Sequence, residues 1–261
     1  MTVVASSEAV MPVVLTDQRF LQAWSGGMSK EMAALGLGLV LLASAALADD
    51  ARDCMQDKDS DLAIRACTML IKADAGNPSL YNRRGNAYRA KGNYDEAVAD
   101  HTRAIDIDPQ SAVAFSNRCF DFVHKMEADK AIADCSKAIE LNPKFPVAYF
   151  NRGMAFERKR AYDQAIADHS KAIEINPKLA RAYNARAWTY FKAGKAALGL
   201  PDAQKALELR PDDPALLDTR GHILEALGKR KEAIADFRQA LAKDPSLKES
   251  IAAMKRLKVK P

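Results

Sequence analysis

From about residue 78 to residue 247, residues of one kind recur every 34 positions. Pro109, Pro143, Pro177, Pro211 and Pro245 form one column, and Ala104, Ala138, Ala172, Ala206 and Ala240 a second. A third runs Gly85, Cys119, Gly153, Ala187 and Gly221. Three unrelated columns holding register over five cycles are not a product of composition. A unit this short cannot bury its own apolar face, so successive units must stack and share a core. The expected product is an extended surface without an enclosed active site.

Inside one cycle the apolar spacing is helical. In the third, Ala148, Tyr149, Gly153 and Phe156 make one stripe, and Ala165, Ile166, His169, Ala172 and Ile173 another. The short polar run 158–163 separates them, and Ile175-Asn176-Pro177 closes the cycle. Proline cannot continue a helix and pushes the residue before it out of helical geometry. Each cycle therefore reads as two antiparallel helices and a proline turn. Tyr81, Gly85, Tyr88, Ala97, Ala104 and Pro109, then Tyr149, Gly153, Phe156, Ala165, Ala172 and Pro177, carry a resemblance to the tetratricopeptide repeat family. The resemblance covers about 78–247. It implies an all-α, right-handed superhelical solenoid of helix–turn–helix repeats, serving as a binding scaffold.

The cycles are 78–111, 112–145, 146–179, 180–213 and 214–247. Residues 248–261 are expected to form a basic capping helix and tail, with Ile251, Met254 and Leu257 covering the last pair. Residues 49–77 read as a degenerate extra pair, with Leu62, Ala63, Ala66, Cys67 and Leu70 on its second helix. The fourth cycle departs from the pattern. Gly199 stands in the column of Ala97, Ala131, Ala165 and Ala233, and Pro201 follows. Its second helix is expected to start late, near Leu200, or to bend, which makes 195–203 the weakest stretch.

Residues 28–48 hold an apolar run from Met32 to Leu42, then small residues ending Ala46-Leu47-Ala48 before Asp49-Asp50. That is the layout of a secretory signal peptide, with cleavage expected after Ala48. The alternative is a membrane anchor, since the run is at the short end of spanning length. Residues 1–27 read as an extension, mis-called or disordered, with Met28 the expected start. The destination is periplasmic or secreted, with membrane contact only through an uncleaved leader.

Export makes disulfides possible for the four cysteines. Cys54 and Cys67 lie 13 apart on the degenerate pair, and Cys119 and Cys135 lie 16 apart on the two helices of repeat two. Three pairings exist, of which these two bridges are the local one; four buried thiols are the alternative. No metal-ligand spacing occurs, and no cofactor is expected.

Two charged columns are complete: Arg84, Arg118, Arg152, Arg186 and Arg220, and Asp100, Asp134, Asp168, Asp202 and Asp236. A row of arginines could capture an acidic ligand. Five copies of both partners favour a structural role instead, with guanidinium forked onto carboxylate to fix repeat spacing.

The resemblance implies that the first helices line the concave surface. Counted from the packing columns, the groove should be lined by Asn82, Asn86, Phe120, Phe150, Met154, Asn184, Trp188 and Phe191, with Arg181 at its rim. Asn117 and Asn151 match asparagines that family members use to hold peptide backbone. The lysine positions of the family's carboxylate clamp hold other residues here, so a free C-terminal carboxylate is not the expected ligand. Large apolar groups where packing does not require them mark a partner surface. Arg83, Arg158 and Lys192 add positive charge, so the expected partner is a protein or peptide segment with apolar anchors and some acidic character. A second copy of the chain, giving a homo-oligomer, is the alternative. Net charge is +5, from 39 basic and 34 acidic residues spread through the repeats, which gives no nucleic-acid patch. His101, His124, His169 and His222 are the only histidines; His101 and His169 fall in a packing column, and no phosphate loop or HExxH occurs. A catalytic role is not expected.

Overall fold

The computed structural model describes residues 48–260. The leader proper and the preceding extension lie outside the described residues, apart from Ala48. The described residues are helical with intervening turns, and they fall into two compact units that divide between Ala75 and Gly76.

The first unit holds the helical residues 48–55 (α1) and α2, Ser60–Ala73. Asp59 caps α2 by accepting a hydrogen bond from the Leu62 N–H at 2.9 Å, satisfying one of the orphan donors of the first turn. Ala63, Ala66 and Cys67 are buried, and a disulfide joins Cys54 to Cys67.

The second unit is a solenoid of five helix pairs and a final helix. Repeat one is α3 (Pro78–Ala90) with α4 (Tyr94–Ile107), and repeat two is α5 (Ala112–His124) with α6 (Ala128–Leu141). Repeat three is α7 (Pro146–Arg158) with α8 (Tyr162–Ile175), and repeat four is α9 (Ala180–Lys192) with α10 (Ala196–Leu209). Repeat five is α11 (Pro214–Ala226) with α12 (Arg230–Lys243), followed by α13 (Lys248–Arg256). Each helix packs on its partner, each second helix on the next first helix, and first helices on one another along the stack.

Proline marks both ends of the connections. Pro78, Pro146 and Pro214 open first helices, where a missing N–H costs nothing. Within each repeat the first helix ends in a Schellman motif, seen in repeat one as the Asn93 N–H donating to the Tyr88 carbonyl at 3.0 Å. That motif needs a left-handed residue. Gly92, Gly194 and Gly228 supply it, with φ of 80°, 73° and 76°, but repeats two and three use Met126 and Arg160 at 63° and 57°.

One pair of positions, 16 residues apart, sets how closely the two helices of a repeat approach. A Cβ built on Gly85 would lie 2.7 Å from the His101 ring, one on Gly153 2.5 Å from His169, and one on Gly221 2.6 Å from Phe237. A ring on the second helix is thus matched by absence of a side chain on the first. Repeat four puts Ala187 opposite Ala203, both fully buried. In repeat two the pair is Cys119 and Cys135, fully buried and joined by a disulfide with Cα atoms 5.5 Å apart. Closing a loop of that length stabilises by about 3 kcal/mol.

Repeat four narrows the two expected outcomes around Gly199 and Pro201 by removing the late start. Helix α10 begins at Ala196, with Pro201 inside it, so it does not start late. Gly199 serves contact: a Cβ there would stand 2.7 Å from the Ala187 carbonyl oxygen on α9. At the end of the stack Met254 and Leu257 of the C-terminal segment pack on Leu224 and Phe237. Ser250, Ala253 and Met254 are the buried residues of α13, whereas Ile251 is only partly covered. Among the described residues no helix is long and apolar enough to cross a membrane.

Candidate protein-binding face

The arginine and aspartate columns form five bidentate pairs inside the repeats. Arg84 meets Asp100 at 2.8 and 2.7 Å, and Arg118–Asp134, Arg152–Asp168, Arg186–Asp202 and Arg220–Asp236 copy that geometry. The aspartates are buried and the arginines mostly so, which raises Arg84, Arg152, Arg186 and Arg220 above the usual guanidinium range through the bond to each carboxylate. Three arginines also reach back one repeat: Arg118 to the Thr102 hydroxyl, Arg152 to Ser136 and Arg186 to Ser170, at 2.9–3.1 Å. Each such guanidinium ties two helices of its own repeat to the helix before it, leaving little donor capacity for a ligand.

A second polar network was not visible as a column. Asp121, fully buried, accepts from Arg89 Nε at 2.6 Å and lies 2.6 Å from His101 Nδ1. Arg89 also donates to the Asn117 carbonyl and stacks over the Phe120 ring at 4.8 Å. The sequence signal was an acid in an otherwise uncharged, buried column, Ala87, Asp121, Ala155, Thr189 and Ile223. His101 is fully buried with its other nitrogen against Gly85, so a substrate cannot reach this histidine–aspartate pair.

The groove residues are distributed unevenly. Asn86 and Arg181 are exposed, while Asn82, Asn117 and Asn184 are half-buried, with the Oδ1 atoms of Asn82 and Asn184 covered. Asn151 departs from expectation: it is 3% exposed and its amide donates to the Ser116 carbonyl at 3.1 Å, bonding adjacent first helices to each other. Phe120 is flanked by Arg89 and His124, and Phe150 leans on the His169 ring at 5.7 Å. Met154, Trp188 and Phe191 come together. Trp188 and Phe191 rings lie 5.1 Å apart and form the ridge between two open clefts on the first-helix face.

One cleft, of about 660 Å³, spans repeats two to four and has Met154, Glu157, Arg158 and Lys192 on its walls. Glu157 is pushed up to about 7 by burial, against a hydrogen bond from Thr189 and the charges of Arg158 and Lys192. Behind it His169 is held neutral, down to about 3, by burial and then by Arg186. The other cleft, of about 610 Å³, reaches α13 through His222, Glu225, Glu249 and Arg256. There Arg256 forks onto Glu225 at 2.8 and 2.6 Å, and the Ser250 hydroxyl donates to Asp218. Burial raises Asp218 and lowers His222, whose Nε2 is 3.7 Å from Asp218 Oδ1.

Models of the tetratricopeptide repeat match residues 78–111, 146–179, 180–213 and 214–247. A 77-residue segment is 38% identical to the Protein SGT1 homolog of Oryza sativa subsp. japonica, covering 28% of this chain and 21% of that protein. The match thus spans about a fifth of that relative's length. Among solved structures the fold is similar to PilW, a widely conserved type IV pilus biogenesis factor. The TM-score is 0.70 at 19% identity, over 82% of this chain and 98% of that one. YrrB, described as having an unusual peptide-binding site, aligns with a TM-score of 0.52 at 17% identity over 73% and 98% of the two chains.

Proposed function

Since the chain belongs to the tetratricopeptide repeat family, we propose that it is a non-catalytic scaffold holding a protein or peptide segment against its first-helix face, in the bacterial envelope. The observation that carries this reading is the ridge of Trp188 and Phe191 between two open clefts. Large aromatic groups half-exposed beside charged walls are the anchors from which protein interfaces draw most of their energy. The groove as proposed comprises Asn82, Asn86, Asn117, Phe120, Phe150, Met154, Arg181, Asn184, Trp188 and Phe191. Asn151 supports it from behind, given its bond to Ser116. The arginine–aspartate column is structural, because each guanidinium is already engaged.

The envelope location is supported by the leader-like run 28–48 and by two buried disulfides, Cys54–Cys67 and Cys119–Cys135, which persist in oxidising compartments. Recovery of partners from an envelope extract, comparing the parent with Phe120→Ala plus Trp188→Ala, tests the reading. Loss of a specific partner at unchanged thermal stability supports it. Equal recovery by both proteins moves the binding face elsewhere, and a mass that doubles with concentration and falls in the variant assigns the face to a second copy.

A further inference from the structure

The left-handed position that closes each repeat's first helix is glycine in three repeats, and the two exceptions are neighbours. Met126 and Arg160 carry side chains in a conformation that L residues disfavour. Both line the larger cleft. Met126 is 64% exposed, an apolar side chain held in water by a turn that would close more easily without it. Strain that persists without a packing reason is a pointer to a working surface.

The charges around this cleft give a second, independent indication. Nearby lysines are already paired across repeats, Lys125 to Asp95 and Lys159 to Asp129, each at 2.5 Å. Arg158, Arg160 and Lys192 have no acidic side chain within ion-pairing distance among the described residues, and Lys192 lies over the Trp188 ring at 5.7 Å. Three cations without an ion-pair contact among the described residues thus surround an apolar floor.

We propose that this cleft, at the turn-side edge of the first-helix face between repeats two and four, docks an acidic segment of a partner protein. An apolar side chain of that segment sits against Met126, Met154, Trp188 and Phe191, and carboxylates flanking it meet Arg158, Arg160 and Lys192. The inference rests on the first-helix face being the binding face, and it adds the chemistry and the position of the contact. Buried carboxylate–guanidinium contacts beside an aromatic anchor give both orientation and discrimination between acidic and basic partners. Glu157 tunes the site. With Arg158 beside it, Lys192 and Thr189 on α9, His169 on α8 and His124 at the end of α5 beyond Arg158, it is the sole acid on these walls. Its carboxyl gains a proton as pH falls from 8 to 6, so repulsion of an acidic guest drops over that range.

Fluorescence anisotropy with a short labelled peptide alternating glutamate with leucine and phenylalanine, and with its lysine-for-glutamate counterpart, tests this on the full chain. The acidic probe should bind at least about tenfold more tightly than the basic one. Its affinity should rise from pH 8 to pH 6, a dependence that Glu157→Gln removes. Met126→Gly with Arg160→Gly relaxes both turns, so it should raise or preserve the melting temperature while weakening the acidic probe about tenfold; a merely structural role would leave binding intact. Arg158→Glu should weaken it comparably. Failure of the acidic probe to bind, equal binding of the basic probe, or full affinity in the double glycine variant would overturn the inference. If Phe120→Ala plus Trp188→Ala loses the acidic probe while the glycine variant keeps it, the edge site fails and the broader face stands; if neither variant matters, both fall.

Discussion

At each crossing of paired helices, two side chains decide how near the backbones come. Glycine faces a ring in three repeats, alanine faces alanine in one, and cysteine faces cysteine in one. Gly153→Ala should therefore cost about 1–3 kcal/mol, since His169 has no room to yield. In Gly153→Ala plus His169→Ala, which copies the pair of repeat four, the two costs should fall short of additive by about 1 kcal/mol. Strict additivity in chemical denaturation would contradict this. His169 also sets an acid limit. Its folded value is near 3 against about 6.5 unfolded, so its contribution is complete above pH 6.5 and is lost as pH falls, by about 2 kcal/mol between 6.5 and 5. Glu157 acts in the other direction: raised to about 7, it favours the fold at low pH and loses that contribution as pH rises through 4.5–7. His169→Phe, which copies the ring of Phe237 in repeat five, should keep the fold and flatten the acid limb relative to the parent at each pH. An unchanged limb would show that His169 does not govern it. The packing column was legible in the sequence because it repeats. Asp121 and the inward role of Asn151 were not: the acid occurs once in its column, the asparagine recurs only as Asn117, and their partners lie 20 to 35 residues away on another helix.

Between elements, the arginine–aspartate pairs clip each hairpin, and the Thr102, Ser136 and Ser170 hydroxyls pass the clip to the previous repeat. Arg152→Ala leaves Asp168 buried without its counterion and should cost about 2–4 kcal/mol, whereas Arg152→Leu plus Asp168→Leu should cost clearly less. Thermal melts of both variants decide it; equal losses would mean the pair itself, and not the stranded charge, carries the energy. Pro201 sits inside α10 and is exposed, so Pro201→Ala should stabilise repeat four by about 1–3 kcal/mol and slow amide exchange across 195–203. Exchange in the parent already slower there than in repeat three would contradict the assignment. In the sequence, Gly199 and Pro201 look like a single break. The glycine is a point of closest approach to α9, a role that local propensity cannot distinguish from helix breaking.

At the scale of the whole second unit, each repeat touches its neighbours and the stack ends under α13, so stability and shape are sums of local interfaces. That arrangement leaves the side chains on the outward-facing stripe of the first helices, such as Trp188 and Phe191, free of the main packing task and so available for recognition. Periodicity gave away the architecture because every unit solves the same packing problem. The clefts were harder to read, because their lining comes from three successive repeats and from turn residues, such as Met126, that fall outside any apolar stripe. The central claim is that partners are held on first helices. Hydrogen exchange of the full chain, alone and saturated with the acidic probe peptide, measures this by element. Slower exchange is predicted at the C-terminal turns of α5, α7 and α9, with α6, α8 and α10 unchanged beyond their first turns; protection centred on the second helices would contradict the claim.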